Sequence, residues 1–388
     1  MTTLLQGGTV VDADGAREAD VLVEGDEVAA VGDGVGADAS VDEVVDASGR
    51  YVAPGLIDAH VHLMMDGRPD VESAVDEPVE AATLLAARNL RDAVEAGVTT
   101  VRDLGSRGRV SLEARRAVAE GTIQGPRVLA CGSNVVMTGG HGHWFGREAD
   151  GPAEVRKAAR EQLKAGADVV KCMATGGVLT TGAQVGAPEL TPAELEALVD
   201  AASAKGVPTA AHAHGETGIR NAARAGITSI EHGTFMDRET ADLLVEHGTY
   251  WVPTASALRG IVDHGVEAGI PAEAVAKAED AAERFDAAFE HALDAGVRVA
   301  MGTDAGTPFN YFADVPTELQ FMTDHGMSPA AALEAATTTA ADLLGLDDVG
   351  LVAEGYAADL VVLDADPSAD ATAWSEPGLV FARGERVA

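Results

Sequence analysis

The sequence predicts an α/β fold: a (β/α)8 TIM barrel over residues 55–346, with a small β-sandwich domain formed by both chain ends, residues 1–54 and 347–388. Three observations predict it. Eight apolar, strand-like runs recur through the middle of the chain, most of them separated by helix-like stretches. These runs are Val-rich with little polar alternation, the pattern of strands buried on both faces in a parallel sheet. Both ends read instead as short strands with tight turns, and neither is large enough for a comfortable core of its own.

At the N-terminal end, Thr9 to Asp12 runs a strand into an Asp14-Gly15 turn. Asp20 to Asp26 and Glu27 to Gly32 follow as hairpin strands with a glycine-containing turn. The tail has the same character at Ala358 to Asp364 and Gly378 to Ala382, with a nearly terminal Val387. Between them lie the eight runs: Gly55–His62, Val98–Gly105, Arg127–Ser133, Asp168–Ala174, Pro208–His214, Ser229–Gly233, Tyr250–Ser256 and Arg298–Asp304. Helical patterns are predicted at Glu80–Ala96, Pro152–Ala165, Ala193–Lys205 and Ala278–Ala295. Thr191-Pro192-Ala193-Glu194 is a helix start, with an N-cap, a proline at the first position and a glutamate that can reach back. Eight βα units indicate a closed barrel. An open doubly wound sheet would need a phosphate-binding glycine fingerprint after a strand, and none is well placed.

The charge balance is extreme: 63 acidic against 27 basic residues, a formal charge of −36. Phosphate backbones and anionic lipid surfaces would be repelled, so neither nucleic acid nor membrane is an expected partner. Aromatics at 4% also argue against a base-stacking platform. Only five of the basic residues are lysines, namely Lys157, Lys164, Lys171, Lys205 and Lys277. The balance suits a halophilic protein, whose carboxylate surface is screened by a high-salt cytoplasm. Cys131 and Cys172 cannot make a disulfide framework, which fits a reducing interior. No signal peptide and no apolar run of about 18 residues is visible, so a cytoplasmic location is expected. A homo-oligomer is the expected assembly, its order not legible.

Polar residues recur at the C-terminal ends of the runs, where barrel active sites are built. His60-Val61-His62 ends the first run, and strand alternation points both imidazoles to one side, where they can share a cation. Lys171 follows Asp168-Val169-Val170 in the fourth run. A lysine there could simply reach solvent along its stem. A desolvated one becomes neutral and can add carbon dioxide, giving an anionic carbamate that bridges two cations. His212-Ala213-His214 ends the fifth run; His212 is the first candidate ligand, and His214 an alternative ligand or a substrate contact. Glu231-His232-Gly233 supplies a further imidazole in the sixth run. Met301-Gly302-Thr303-Asp304 ends the eighth; Asp304 could ligate a cation and accept a proton, or merely cap a turn. Taken singly, each could be a hydrogen-bonded core residue. Together they indicate a metal site. The third run leads to Gly139-Gly140-His141-Gly142-His143, a tight loop in which His141 is a candidate substrate-polarising donor and His143 a candidate substrate contact. His247, His264, His291 and His325 carry no expected chemistry.

With these residues in view, the chain resembles the amidohydrolase superfamily over nearly its whole length. The resemblance is carried by Gly55-Leu56-Ile57-Asp58-Ala59-His60-Val61-His62, by Lys171, His212, His232 and Asp304, and by the return segment Gly355 to Leu363. Lys171 to Gly177 and His212-Ala213-His214-Gly215 are similar to a prolidase-like, imidazolonepropionase-related group that hydrolyses dipeptides, often with proline or a basic residue on the C-terminal side. The resemblance implies His60, His62 and Asp304 on one divalent cation, His212 and His232 on a second, and carboxylated Lys171 between them. Zinc is the expected metal, though imidazole and carboxylate ligands admit others. A water activated between the two ions would attack the amide, with Asp304 as general base and then acid. A small molecule or dipeptide is the implied substrate. Thr180 to Gly186 is the expected substrate-facing loop, and it carries neither tyrosine nor charge.

Two rivals remain. A one-metal ring hydrolase or deaminase resembles an H-x-x-E pattern after the fifth strand, but Gly215 stands three places after His212 and Glu216 one place late. A non-catalytic relative would have lost ligand residues, and this chain keeps them all.

Overall fold

The computed structural model describes residues 1–37 and 39–388, with all their side chains except those of Ala74 and Val75. The middle of the chain forms a parallel barrel. Its strands are Leu56–Val61, Val98–Asp103, Arg127–Ala130, Val170–Met173, Thr209–Ala213, Ser229–His232 and Tyr250–Val252, paired in that order apart from the third and fourth. Between the third and fourth, Asp168 N donates to Ala130 O at 2.9 Å, and a short strand, Val135–Val136, pairs with Cys172. Almost every strand position carries a buried side chain, as the apolar runs require.

The eighth run, Arg298 to Asp304, holds its place in the barrel without becoming a regular strand. Val299 bridges Trp251 on one side and Ala305 bridges Val61 on the other. Backbone bonds close the cylinder: Trp251 N to Arg298 O, Ala59 N to Met301 O, and Asp304 N to His60 O at 2.7 Å. The ladder is broken for two reasons. Met301 N turns away to Ala335 O, and Gly302 lies so close to the first strand that a Cβ there would stand 2.9 Å from His60 N.

Helices follow the strands around the outside, including Val79–Glu95, Pro152–Ala165, Pro192–Ser203 and Ala272–Ala295. The capping residues act as their sequence suggests: the Glu194 carboxylate accepts from Thr191 N at 2.7 Å. The long helix begins six residues earlier than its apolar pattern indicates, after Pro271. The seventh strand is shorter than its run. It ends at Val252, and Ser256 already belongs to a helix, Ala255–His264. That helix starts where the buried Glu318 carboxylate accepts from Ala255 N and Ser256 N.

The two chain ends build one curled, eight-stranded sheet. Leu360–Leu363 and Leu379–Ala382 join Tyr51–Pro54 on one side, while Thr2–Asp12, Gly15–Glu24 and Glu27–Gly32 complete the other. Thr2–Asp12 pairs with Glu43–Asp46 along its first half and Tyr51–Pro54 along its second, with a bulge between Leu5 and Gly8. Bending at that bulge folds the layer over a separate core of Val10, Val21, Val23, Val52, Leu360 and Phe381. The fold is thus a TIM barrel with a β-sandwich from both termini. Among the described residues, no helix is long and apolar enough to cross a membrane. Cys131 and Cys172 are buried free thiols.

Candidate active site

The strand ends deliver His60, His62, Lys171, His212, His214, His232 and Asp304 to one place, all of them buried. The Asp304 carboxylate oxygen Oδ1 lies 3.3 Å from His60 Nε2 and 3.1 Å from His62 Nε2. The His232 ring stands 5.3 Å from that of His60, 4.6 Å from His212 and 4.9 Å from His214, centre to centre. Two sets of donor atoms each fit within 4.8 Å: His60, His232 and Asp304, and His212, His214 and His232. Both fifth-strand histidines therefore stay within reach of a cation.

Partners on Nδ1 orient the rings. His60 Nδ1 lies 3.0 Å from Glu231 Oε2, and His62 Nδ1 lies 3.0 Å from Gly105 O. A carboxylate and a carbonyl can only accept, so Nδ1 carries a hydrogen in both and the Nε2 atoms are left to face Asp304 Oδ1. Thr254 Oγ1 donates to Pro253 O at 2.7 Å and so accepts from His232 Nδ1 at 2.6 Å, which leaves Nε2 of His232 free. His212 Nε2 is buried with no hydrogen-bond partner, and Asp304 Oδ1 faces only the two first-strand imidazoles. Donor atoms of this kind, converging from four strand ends, fit a divalent cation.

Electrostatics agree. Burial pulls the imidazoles of His60 and His214 down to about 4, and those of His212 and His232 well below their ordinary value. They are neutral and ligand-ready at neutral pH. Burial also lowers the Lys171 ammonium, although Glu231 and Asp304 pull the other way. Burial alone would raise Asp304, but His60, His62 and Lys171 outweigh it and hold the carboxyl low. His62 moves upward instead: burial opposes protonation there, but Asp304 overrides it.

Backbone strain gathers at the same place. His232, Thr254 and Asp304 all have positive φ, at 70°, 55° and 60°. For non-glycine residues such conformations cost about 1–3 kcal/mol each, and they persist only where surrounding structure imposes them.

His141 joins the cluster, its ring 4.3 Å from that of His212. Thr180 Oγ1 accepts from Gly142 N at 3.0 Å and lies 2.9 Å from His141 Nδ1. Where the Thr180 hydroxyl donates to Nδ1, the hydrogen of His141 sits on Nε2. His143 does not join. It is exposed, with Nδ1 on Gly140 O at 3.0 Å, and it lies outside the lining of the cavity. Strand alternation does not carry through this loop, because Gly142 turns the chain with φ +68°. Of the loop expected to face substrate, Thr180 touches His141, while Gly182 N is tied outward to Glu273 at 2.8 Å.

The sequence reading missed the layer beneath. Arg102, fully buried, donates to Ala59 O at 2.6 Å, Ser229 Oγ at 3.1 Å and Glu231 Oε1 at 3.1 Å. Burial would push the Glu231 carboxyl up, but Arg102 and His60 hold it at about 2. Asp58 accepts from His60 N at 3.1 Å and from Thr303 Oγ1 at 2.6 Å, tying the first strand to the eighth run. The available signal was an arginine inside an apolar run and acidic or hydroxyl residues two places from a histidine or glutamate, on the same strand face.

Above the cluster opens a cavity of about 690 Å³ including its mouth. Fold, strand-end donors and cavity together define a hydrolase of the amidohydrolase family: the model for that family matches residues 51–387, and the chain belongs to it. Membership makes it a hydrolase acting on carbon–nitrogen bonds. Ochratoxinase from Aspergillus niger is 31% identical, over 97% of this chain and 84% of its own length. Imidazolonepropionase from Streptomyces coelicolor is 28% identical over 90% of this chain and 86% of its own. Among solved structures, a prolidase complexed with N-methylphosphonate-L-proline superposes with a TM-score of 0.93, at 30% identity, covering 100% of this chain and 99% of that one.

Proposed function

We propose that this chain hydrolyses an amide bond of a small substrate, a dipeptide of the Xaa-Pro or Xaa-basic type, with two divalent cations, zinc by preference. The observation that carries the reading is the convergence of two donor sets, His60, His232 and Asp304 and His212, His214 and His232, with His62 beside Asp304 and buried Lys171 lining the same cavity. The similarity to a solved prolidase supports the substrate class. His60, His62 and Asp304 would hold one ion and His212 and His232 the other, with His214 the alternative. Lys171, whose ammonium burial destabilises, would in its deprotonated form add carbon dioxide and release one proton to become an anionic carbamate able to ligate metal.

When bound, the cations lower the pKa of a water from 15.7 to about 7 and polarise the substrate carbonyl. The chain's own groups do the rest. His141 presents Nε2–H as a donor to the carbonyl oxygen, where charge develops during attack. Asp304 accepts the proton of the attacking water on its carboxylate and returns it to the leaving amine. Positive φ at Asp304 aims that carboxylate between the two histidines of the first strand. The apolar lining excludes bulk water.

The test is metal content with turnover. Two equivalents of zinc per chain, and cleavage of dipeptides, are expected. A second reading has its own observation: His60, His232 and Asp304 alone make a compact set for a single ion. An active enzyme with one equivalent would establish that mononuclear, ring-hydrolase or deaminase reading instead. The carboxylate excess extends the proposal to the medium, a cytoplasm of high salt.

A further inference from the structure

The cavity has two kinds of surface. The strand ends supply polar groups, and among the described residues Lys171 and Asp304 are the only lysine and the only carboxylate in its lining. Both belong to the donor cluster. Beyond the strand ends His141, Thr234 and Thr307 add polar groups, and the buried Trp144 Nε1 has no hydrogen-bond partner, but the larger part of the lining is apolar. Leu258 and Ile261 come from the helix Ala255–His264, Trp144 and Phe145 from the loop after the third strand, and Val178 and Leu179 from the loop after the fourth.

This lining is held in shape. The Trp144 and Phe145 rings pack against each other, 4.5 Å between centres. Lys277 Nζ donates to Thr180 O at 2.9 Å, and Glu273 accepts from Gly182 N, so the loop bearing Val178 and Leu179 is pinned to the helix Ala272–Ala295. Glu318 fixes the start of the helix that carries Leu258. A preformed apolar wall gains by covering an apolar group and loses by desolvating a charged one that finds no partner.

We propose that these six side chains select a bulky, uncharged apolar group beside the scissile amide and reject lysine, arginine, aspartate and glutamate there. The inference rests on the hydrolase reading above and narrows it: of the two residue types named, it favours the apolar over the basic.

The zinc-loaded wild-type enzyme would be assayed on Ala-Phe, Ala-Leu, Ala-Lys and Ala-Glu, and on the reversed dipeptides. On at least one side of the amide, kcat/KM should be tenfold or more higher for the apolar member, about the discrimination an apolar pocket can give. A flat series, or a charged residue preferred on both sides, would overturn the proposal. Leu258→Ala should cut the preference at least threefold. Binding provides a readout without turnover: calorimetry of N-acetyl-phenylalaninamide against N-acetyl-lysinamide on zinc-treated Asp304→Asn. Tenfold tighter binding of the first is expected, and equal or absent binding of both would overturn the proposal. Apolar-selective binding in a protein that cleaves nothing would sink the hydrolase reading and leave the selectivity standing.

Discussion

Individual residues divide into those that meet the cavity and those that hold them. Asp304 meets it: its Oδ1 lies 3.3 and 3.1 Å from the Nε2 atoms of the two first-strand histidines. Asp304→Asn keeps the shape and one oxygen ligand but cannot accept a proton at neutral pH. Turnover should fall to background while much of the zinc is retained; an active Asp304→Asn enzyme would contradict the assigned role. Glu231 is a holding residue, paired with Arg102 inside the barrel at 3.1 Å. Glu231→Gln would leave a buried guanidinium without its counter-charge, at a cost of about 3–5 kcal/mol in urea unfolding. Its pH signature has a definite sign. The folded carboxyl titrates at about 2, below the unfolded value of about 4.3, so the folded state binds fewer protons. Its stabilisation is present above about pH 4.3 and is lost as pH falls through about 2. The Glu231→Gln variant should lack that acid limb. An unchanged limb would assign the acid loss to other carboxylates.

At the scale of elements, the sequence shows what lies at strand ends more readily than what lies inside. His60, His62, His212, His232 and Asp304 stand out because a polar residue closing an apolar run is unexpected unless something binds it. Arg102 stands in the middle of such a run, and nothing in its own strand names Glu231, 129 residues away, as the partner. The irregular eighth run was legible as a position but not as a geometry, because Met301 N bonds outward to Ala335, a residue from another element. The helix Ala255–His264 was hidden for a similar reason. Its start depends on Glu318, and its preceding residue, Thr254, takes a left-handed conformation that no local propensity favours. This helix start links to the site, since Thr254 Oγ1 holds Nδ1 of His232 at 2.6 Å. Thr254→Ala should weaken zinc binding about 10–100-fold, the usual cost of losing a ligand's outer partner, and Thr254→Ser should restore much of it. Equal zinc affinity in all three proteins, measured by chelator competition, would break the link.

Charge dominates the behaviour of the whole molecule. The core accounts for the fold, with a buried barrel interior and a separate apolar layer in the terminal sheet. The surface must then carry a net −36. Many of the basic residues are already committed to local helix pairs such as Arg109–Glu113, Arg116–Glu120 and Arg284–Asp280, all on exposed or half-exposed side chains. Such pairs are worth only about 0.3–0.5 kcal/mol each, too little to offset repulsion among the remaining carboxylates. That repulsion acts over the Debye length, about 10 Å at 0.1 M salt and about 3 Å at 1 M. Raising potassium chloride from 0.1 to 2 M should therefore stabilise the folded chain, because the compact state concentrates the charge more than the unfolded one does. Each kcal/mol regained should raise the thermal midpoint by about 1 °C in a chain of this size. Sodium sulfate at matched ionic strength separates screening from salting-out of apolar surface: screening predicts that most of the gain arrives by 1 M with either salt. A midpoint that is flat in potassium chloride, or that rises only with sulfate, would show that the acidic surface is tolerated at low salt and that apolar burial alone sets the stability.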